Sequence, residues 1–387
     1  MSILNVPQPE FMEDEEIAIF ADAVGKFYQQ HAPEKRVLKW RDEGQVEREF
    51  WNEAGEAGLL GTSVPEEYGG HGGDFRHEMV VIDQQAKHNV EGFAASLHNT
   101  VILPYLVRHG TEEQKKKYLP KLVSGELVSA IAMTEPGVGS DLQSITTTAL
   151  KDGNGYRING AKTYISNGQT ADFIIVVAKT DPNERAKGIS LMLLETEGAE
   201  GFQRGKKLDK IGMDAADTSE LFFDDVFVPS DAVLGGEEGK GFYQLMGELP
   251  QERLIIAMGA MTGIEKALET TMEYVKSRKA FGKTIWDFQN TQFVMADLKA
   301  RATAARIFVN DCIARHLKRE LSVDTACMAK YWVTELQGEV VDKCLQFHGG
   351  AGYINDYPIA RMYRDSRITR IFGGSNEVMK MVIARGM

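Results

Sequence analysis

The feature that most constrains this chain is a double change of hydrophobic period. From about Met12 to Gly125, apolar residues recur every three or four positions, as in EEIAIFADAVGKFYQQH and VEREFWNEAGEAGLLG. The segments from His77 to Asn89 and from Phe93 to His109 read as buried helices, and VPEEYGGHGGDF between helical stretches reads as a loop. From about Glu126 to Gly236 the apolar residues gather instead into short β-branched and aromatic runs: LVSAIAMT, SITTTALK, GYRINGAKTYIS, FIIVVAKT, GISLMLLE and SELFFDDVFV. From about Lys240 the helical spacing returns in three long stretches, which suggest a bundle. Helices, then strands, then helices exclude an alternating βαβ chain. They predict an α+β protein divided near residues 1–125, 126–237 and 238–387.

Local signals sharpen the elements. Asp152-Gly-Asn-Gly155 predicts a hairpin turn. Thr111 with Gln114 three residues on predicts a helix start. Pro250 looks like the first residue of the long helix that follows, which would put Glu252 in its first turn.

The net charge of −12 argues against binding a phosphate backbone as the main task. Three cysteines (Cys312, Cys327, Cys344) without ligand spacing imply a reduced protein with neither disulfide frame nor metal site. No apolar run reaches the roughly 18 residues of a membrane span. The acidic N-terminal stretch MSILNVPQPEFMEDEE fits a cytoplasmic bacterial protein, and a processed mitochondrial chain restarted at Met remains open.

Five short motifs combine small residues with a few polar ones: MTEPGVGSD (133–141), KTYISNG (162–168), SRKAFGK (277–283), QFHGGAGY (346–353) and RITRIFGGSNEVM (367–379). Each alone reads as a loop or a helix end, and SRKAFGK as a solvated basic helix end. No GxGxxG follows a strand, so a Rossmann nucleotide site is not indicated.

Together and in this order, the motifs resemble the acyl-CoA dehydrogenase family over nearly the whole chain. That resemblance implies an N-terminal helical domain, a middle β-barrel and a C-terminal four-helix bundle. It implies FAD as cofactor, an acyl-CoA substrate, electron-transfer flavoprotein as electron acceptor, and a homotetramer built as a dimer of dimers. By the same likeness Ile131, Met133 and Thr134 border the flavin pyrimidine, Tyr164 lies beside the ring, and Ser166 bonds near N5. Arg278 would meet the pyrophosphate and Phe281 the adenine end, with Gln289 following. Gln346, His348, Gly349 and Gly350 would cradle the adenosine of a neighbouring subunit's FAD. Ser375, Asn376 and Glu377 would touch phosphates or ribose. For His348 the side chain itself reads as structural.

Most of the family carries a catalytic glutamate where this chain has Gly373. The closer likeness is to the long-chain branch, which has glycine there and its base at the place of Glu252. An acidic residue in a first helical turn is also common for its own sake. A helix terminus would lower the Glu252 pKa, and desolvation would raise it. Gly373 and Gly374 would offer backbone to the thioester. Ser140, and more weakly Gly188 and Ile189, match CoA-side contacts. Tyr243 reads either as a substrate contact or as a half-buried aromatic. Arg253 either points toward the CoA arm or holds the loop. Phe372 and Ser375 replace the family's usual Tyr and Thr. The implied reaction is α,β-dehydrogenation of a medium- to long-chain acyl-CoA. A dehydrogenase for branched or isoprenoid acyl-CoA, or a flavin monooxygenase on the same fold, is the alternative.

Overall fold

The structure is a computed structural model that describes residues 3–387. Six helices come first: α1 (Glu15–His31), α2 (Glu34–Glu43), α3 (Arg48–Glu56), α4 (Phe75–Lys87), α5 (Leu103–His109) and α6 (Glu112–Val123). α6 opens with the expected capping box, Thr111 with Gln114. A π turn, Leu97–Ile102, runs directly into α5. Sequence reading gave no sign of α2 or of the π turn.

Seven strands follow: β1 (Ser129–Ala132), β2 (Thr148–Asp152), β3 (Gly155–Ser166), β4 (Phe173–Lys179), β5 (Ile189–Glu195), β6 (Phe202–Lys207) and β7 (Thr218–Pro229). They form one curled sheet in the order β1-β4-β2-β3-β7-β6, with β5 added to β4. The predicted hairpin joins β2 and β3, with Asp152 opposite Gly155. β6, FQRGKK, escaped sequence reading because it buries none of its residues, so no apolar alternation marks it.

β4 and β5 are apolar on both faces because both faces are covered. Phe173, Ile175 and Val177 pack with Leu103, Leu106 and Leu119 of α5 and α6. Ile174 and Val176 pack with Met192, Leu221 and Val228 inside the sheet domain. This shared core fixes α5 against the sheet, and α5 stands behind the site described below, where its Tyr105 reaches Glu252.

The C-terminal part holds α7 (Gly241–Ser277), a two-stranded ribbon of β8 (Lys279–Ala280) and β9 (Lys283–Thr284), α8 (Gln289–Leu317), α9 (Val323–His348), α10 (Pro358–Ser366) and α11 (Asn376–Arg385). The core between α7, α8 and α9 also takes in Phe75 and Ile82 of α4. No helix among the described residues is long and apolar enough to cross a membrane.

The expectation at Pro250 is overturned. α7 begins at Gly241, and Pro250 lies inside it. The apolar spacing of GFYQLMGEL already belongs to the helix, with Leu245 and Glu248 buried. A proline interior to a helix cannot donate to the carbonyl four residues back. The turn is held from outside, because Glu248 pairs with Arg108 and His109 of α5 while Gln251 accepts from Arg108. Glu252 therefore stands about three turns inside the helix, away from the terminal dipole.

Candidate active site

A cleft of about 540 Å³ opens where the sheet meets α4, the π turn, α7 and α10. Six of the sequence-predicted residues line it: Ile131, Met133, Tyr164, Ser166, Glu252 and Gly373. They come from β1, β3, α7 and the turn before α11, so the fold assembles them from distant parts of the chain.

β1 and β3 form one wall. Pairing between β3 and β7 slips between Lys162 and Ile165, which marks a bulge. At that bulge Tyr164 takes φ 60°, a left-handed value uncommon for a tyrosine. The ring is swung out of the sheet and left 69% exposed, facing the cleft. An aromatic ring held at a bulge over an open cleft wants a flat partner. Beside it, the Met133–Glu135 backbone is pinned by a buried ion pair. Lys162 Nζ donates to Met133 O at 2.9 Å and to Glu135 Oε1 at 3.0 Å. Glu135 also accepts from the amides of Thr146 and Thr147 and from the Thr146 hydroxyl. Burial pushes its pKa up, but Lys162 and these donors outweigh burial and bring it down to about 2. Thr134 sits between, its carbonyl accepting from Thr163 N.

α7 forms the opposite wall. Glu252, Ile255, Ile256, Gly259, Ala260, Gly263 and Lys266 all line the cleft, a single helical face. From Glu252 to Lys266 that face is about 21 Å long at 1.5 Å per residue. The Glu252 carboxyl is buried, and its one side-chain partner among the described residues is the Tyr105 hydroxyl, which donates to Oε1 at 2.8 Å. Burial raises its pKa to about 7; Glu248 adds to the rise, while the Tyr105 hydrogen bond and Arg253 oppose it. Of the two opposing effects open in the sequence, desolvation prevails and the helix end plays no part. Nothing in the sequence singled out Tyr105, which reads there as a buried aromatic of an apolar helix.

Gly373 closes the site from the C-terminal side. It has φ 61°, and a Cβ on it would lie 2.3 Å from Ile256 Cδ1, one turn past Glu252. A glutamate at this position would be strained by that backbone conformation, and the Ile256 side chain would have to turn aside. Its N–H has no acceptor among the described residues. The turn is fixed by Lys330 of α9, whose buried ammonium donates to Gly374 O and to Asn376 Oδ1 at 2.8 Å each.

The remaining predicted residues fall elsewhere. Asn376 is buried and bonded to Lys330, Thr334 and Glu335, so its side chain is committed within the fold. Ser375 caps α11, and Glu377 is exposed in its first turn. The backbone of Gly188 is engaged by Thr180, Asp181 and Arg185. Ser140 and Tyr243 are exposed outside the cleft lining. Arg253 turns away, with its guanidinium 3.1 Å from Cys327 Sγ. Arg278, Phe281, Gln289, Gln346, Gly349 and Gly350 are exposed. They gather at the far end of α7, where Tyr274 stacks on the buried His348 ring and donates to its carbonyl. Phe281, at the tip of the β8–β9 ribbon with φ 53°, is 95% exposed. A large apolar side chain held there is not explained by packing within one chain.

Comparison with known proteins agrees with the fold. Residues 14–126, 130–226 and 239–387 match the models of the acyl-CoA dehydrogenase N-terminal, middle and C-terminal domains. The chain belongs to the acyl-CoA dehydrogenase family. It is 48% identical over 369 residues to the mitochondrial long-chain specific acyl-CoA dehydrogenase of Sus scrofa, covering 95% of this chain and 85% of that one. It is 39% identical over 366 residues to the mitochondrial isovaleryl-CoA dehydrogenase of Pongo abelii, covering 94% and 86%. The crystal structure of acyl-CoA dehydrogenase from Geobacillus kaustophilus superposes with a TM-score of 0.94 at 45% identity, covering 96% of this chain and 98% of that one. The family is FAD-dependent, and the wall carrying Met133, Tyr164 and Ser166 suits a flat heteroaromatic ring with polar edges.

Proposed function

We propose that this acyl-CoA dehydrogenase desaturates long-chain acyl-CoA at the α,β bond, with Glu252 as the base that takes the α-proton. The observation that carries this is two groups lining one cleft: a buried Glu252 carboxyl without a cationic partner, and a backbone N–H without an acceptor at Gly373, which abuts Ile256 one turn past Glu252. An α-proton is far too weakly acidic for a carboxylate in water. A dry site raises the basicity of Glu252, and the Gly373 N–H donates a hydrogen bond to the thioester oxygen as that oxygen gains charge. Lys330 keeps that N–H in place through Gly374 O. When bound, FAD supplies the acceptor for the β-hydrogen and its electron pair, and Ile131, Met133, Thr134, Tyr164 and Ser166 are the residues to hold its ring.

The length and texture of the α7 face support a long acyl chain. Gly259 is a helix-interior glycine whose Cβ would meet nothing within 4 Å, and it lines the cleft. Helix interiors disfavour glycine by about 0.5–1 kcal/mol, so packing against the protein does not explain it. Space left for a ligand does. The group around Arg278, Phe281 and Gly349 lies apart from this cleft. It serves the adenosine end of a partner subunit's FAD in a dimer of dimers, and electron-transfer flavoprotein takes the electrons.

The test is anaerobic flavin bleaching with a ladder of straight-chain acyl-CoAs plus isovaleryl-CoA. Long chains bleach fastest, and Glu252→Gln slows bleaching by about 10³-fold with flavin content unchanged. Bleaching that survives Glu252→Gln overturns the assignment of the base. A preference for isovaleryl-CoA overturns the substrate class.

A further inference from the structure

Tyr105 and the π turn before it form a holder for the Glu252 side chain. A π turn accommodates one extra residue in a helix and recurs at functional sites. Here Leu97 and Val101 of the turn line the cleft. Pro104 has no N–H for the carbonyl four residues back, Thr100. That oxygen instead accepts from Gln251 Nε2 at 2.7 Å, on the residue before Glu252. One helical turn later Arg108 and His109 hold Glu248. Between these two ties Tyr105, fully buried, reaches Glu252 Oε1 at 2.8 Å. Oε2 has no partner among the described residues.

We infer that Tyr105 is a positioning residue for the base: it occupies Oε1, leaves Oε2 as the only oxygen free to take the substrate proton, and sets the pH at which the carboxylate is available. This rests on the reading of Glu252 as the base. The phenol hydrogen bond favours the ionised carboxylate, and it remains on the carbonyl oxygen once Oε2 is protonated. The other groups around Glu252 do not replace it. Glu248 is of like charge and is itself held by Arg108 and His109, with His316 of α8 facing that cluster. Arg253 is directed to Cys327, and Lys330 to Gly374.

The experiment is pH-difference infrared spectroscopy of the flavin-loaded protein without substrate. The protonated-carboxyl stretch that disappears in Glu252→Gln reports the midpoint of this one group. In Tyr105→Phe that midpoint moves up by about one pH unit, a hydrogen bond to a charged group being worth about 1.5 kcal/mol or more. The acid limb of the bleaching rate moves with it. Should Tyr105→Phe lose its fold, 3-fluorotyrosine incorporation gives the opposite reading, since a more acidic phenol is a stronger donor and lowers the midpoint. An unmoved midpoint in whichever of these proteins folds overturns the role of Tyr105. The two readings fail separately: bleaching retained in Glu252→Gln removes the base, whereas bleaching lost there with an unmoved midpoint removes only Tyr105.

Discussion

Two buried glutamates flank the same cleft and have opposite characters. Glu135, on the sheet side, has Lys162 against it and three further donors from Thr146 and Thr147. Glu252, on the helix side, has one neutral donor and no cation bonded to it. Both side chains are almost closed to solvent, so exposure alone does not decide what a carboxyl does. The number of donors turned toward it does. One environment makes a permanently charged staple for the loop that borders the cleft. The other leaves a proton acceptor balanced near neutrality, with a pKa of about 7 against about 2.

The strongest way to break this contrast is to neutralise each carboxyl in turn. Glu135→Gln leaves the Lys162 ammonium buried without its counter-charge. Breaking such a pair costs about 3–5 kcal/mol, so the urea midpoint at pH 7.5 drops sharply and flavin is lost with the fold. Glu252→Gln removes a charge that burial already disfavours, and the same titration shows equal or greater stability. If both variants unfolded at the same lower urea concentration, the two sites would be structural alike.

A pH series sharpens it further. The folded-state pKa of Glu252 lies above its ordinary 4.5, so its folded form binds the proton more tightly than the unfolded chain does. The stability this group contributes is complete below pH 4.5 and is lost as pH rises toward 7, roughly 3 kcal/mol in all. Thermal melts of wild type and Glu252→Gln should coincide near pH 5 and diverge by pH 8, with the variant the more stable. Glu135 has the opposite sign. Its folded pKa is depressed, so its contribution is present above pH 4.5 and disappears as pH falls through 2. A wild-type-to-variant gap at Glu252 that stays flat from pH 5 to 8 would put that carboxyl in contact with water.

The two glutamates were not equally legible in the sequence. Residues that act through local chain chemistry could be read. The Asp152–Gly155 hairpin, the Thr111 cap, the helix–sheet–helix order and the glycine at 373 all lie where the sequence indicates. Glu252 could be singled out, but its environment could not. Its helix begins nine residues before Pro250, and what surrounds it comes from α5, 147 positions away in sequence. Tyr105 stayed hidden for the same reason, because a tyrosine in an apolar helix looks like core until the partner across the gap is known. Gly188 and Asn376 show the converse. The family resemblance points to both, yet their polar groups are committed inside the fold.

The mildest probe reaches Glu252 through the cleft instead of through its own chemistry. Only the helix-side carboxyl lies on the α7 face where an acyl chain would displace water; Glu135 is sealed whether or not the cleft is filled. Gly259 stands two turns along that face, and a side chain there enters open space. Gly259→Leu therefore keeps or slightly raises thermal stability, by about 0.5–1 kcal/mol of helix preference. It also shortens the cleft. Bleaching by the longest acyl-CoAs falls about tenfold, the effect of filling space worth about 1.4 kcal/mol, while butyryl-CoA is unaffected. Because the short chain still covers Glu252, the acid limb of its bleaching profile stays in place. A loss shared equally by long and short chains would mean that the space beside Gly259 belongs to the flavin and not to the acyl tail.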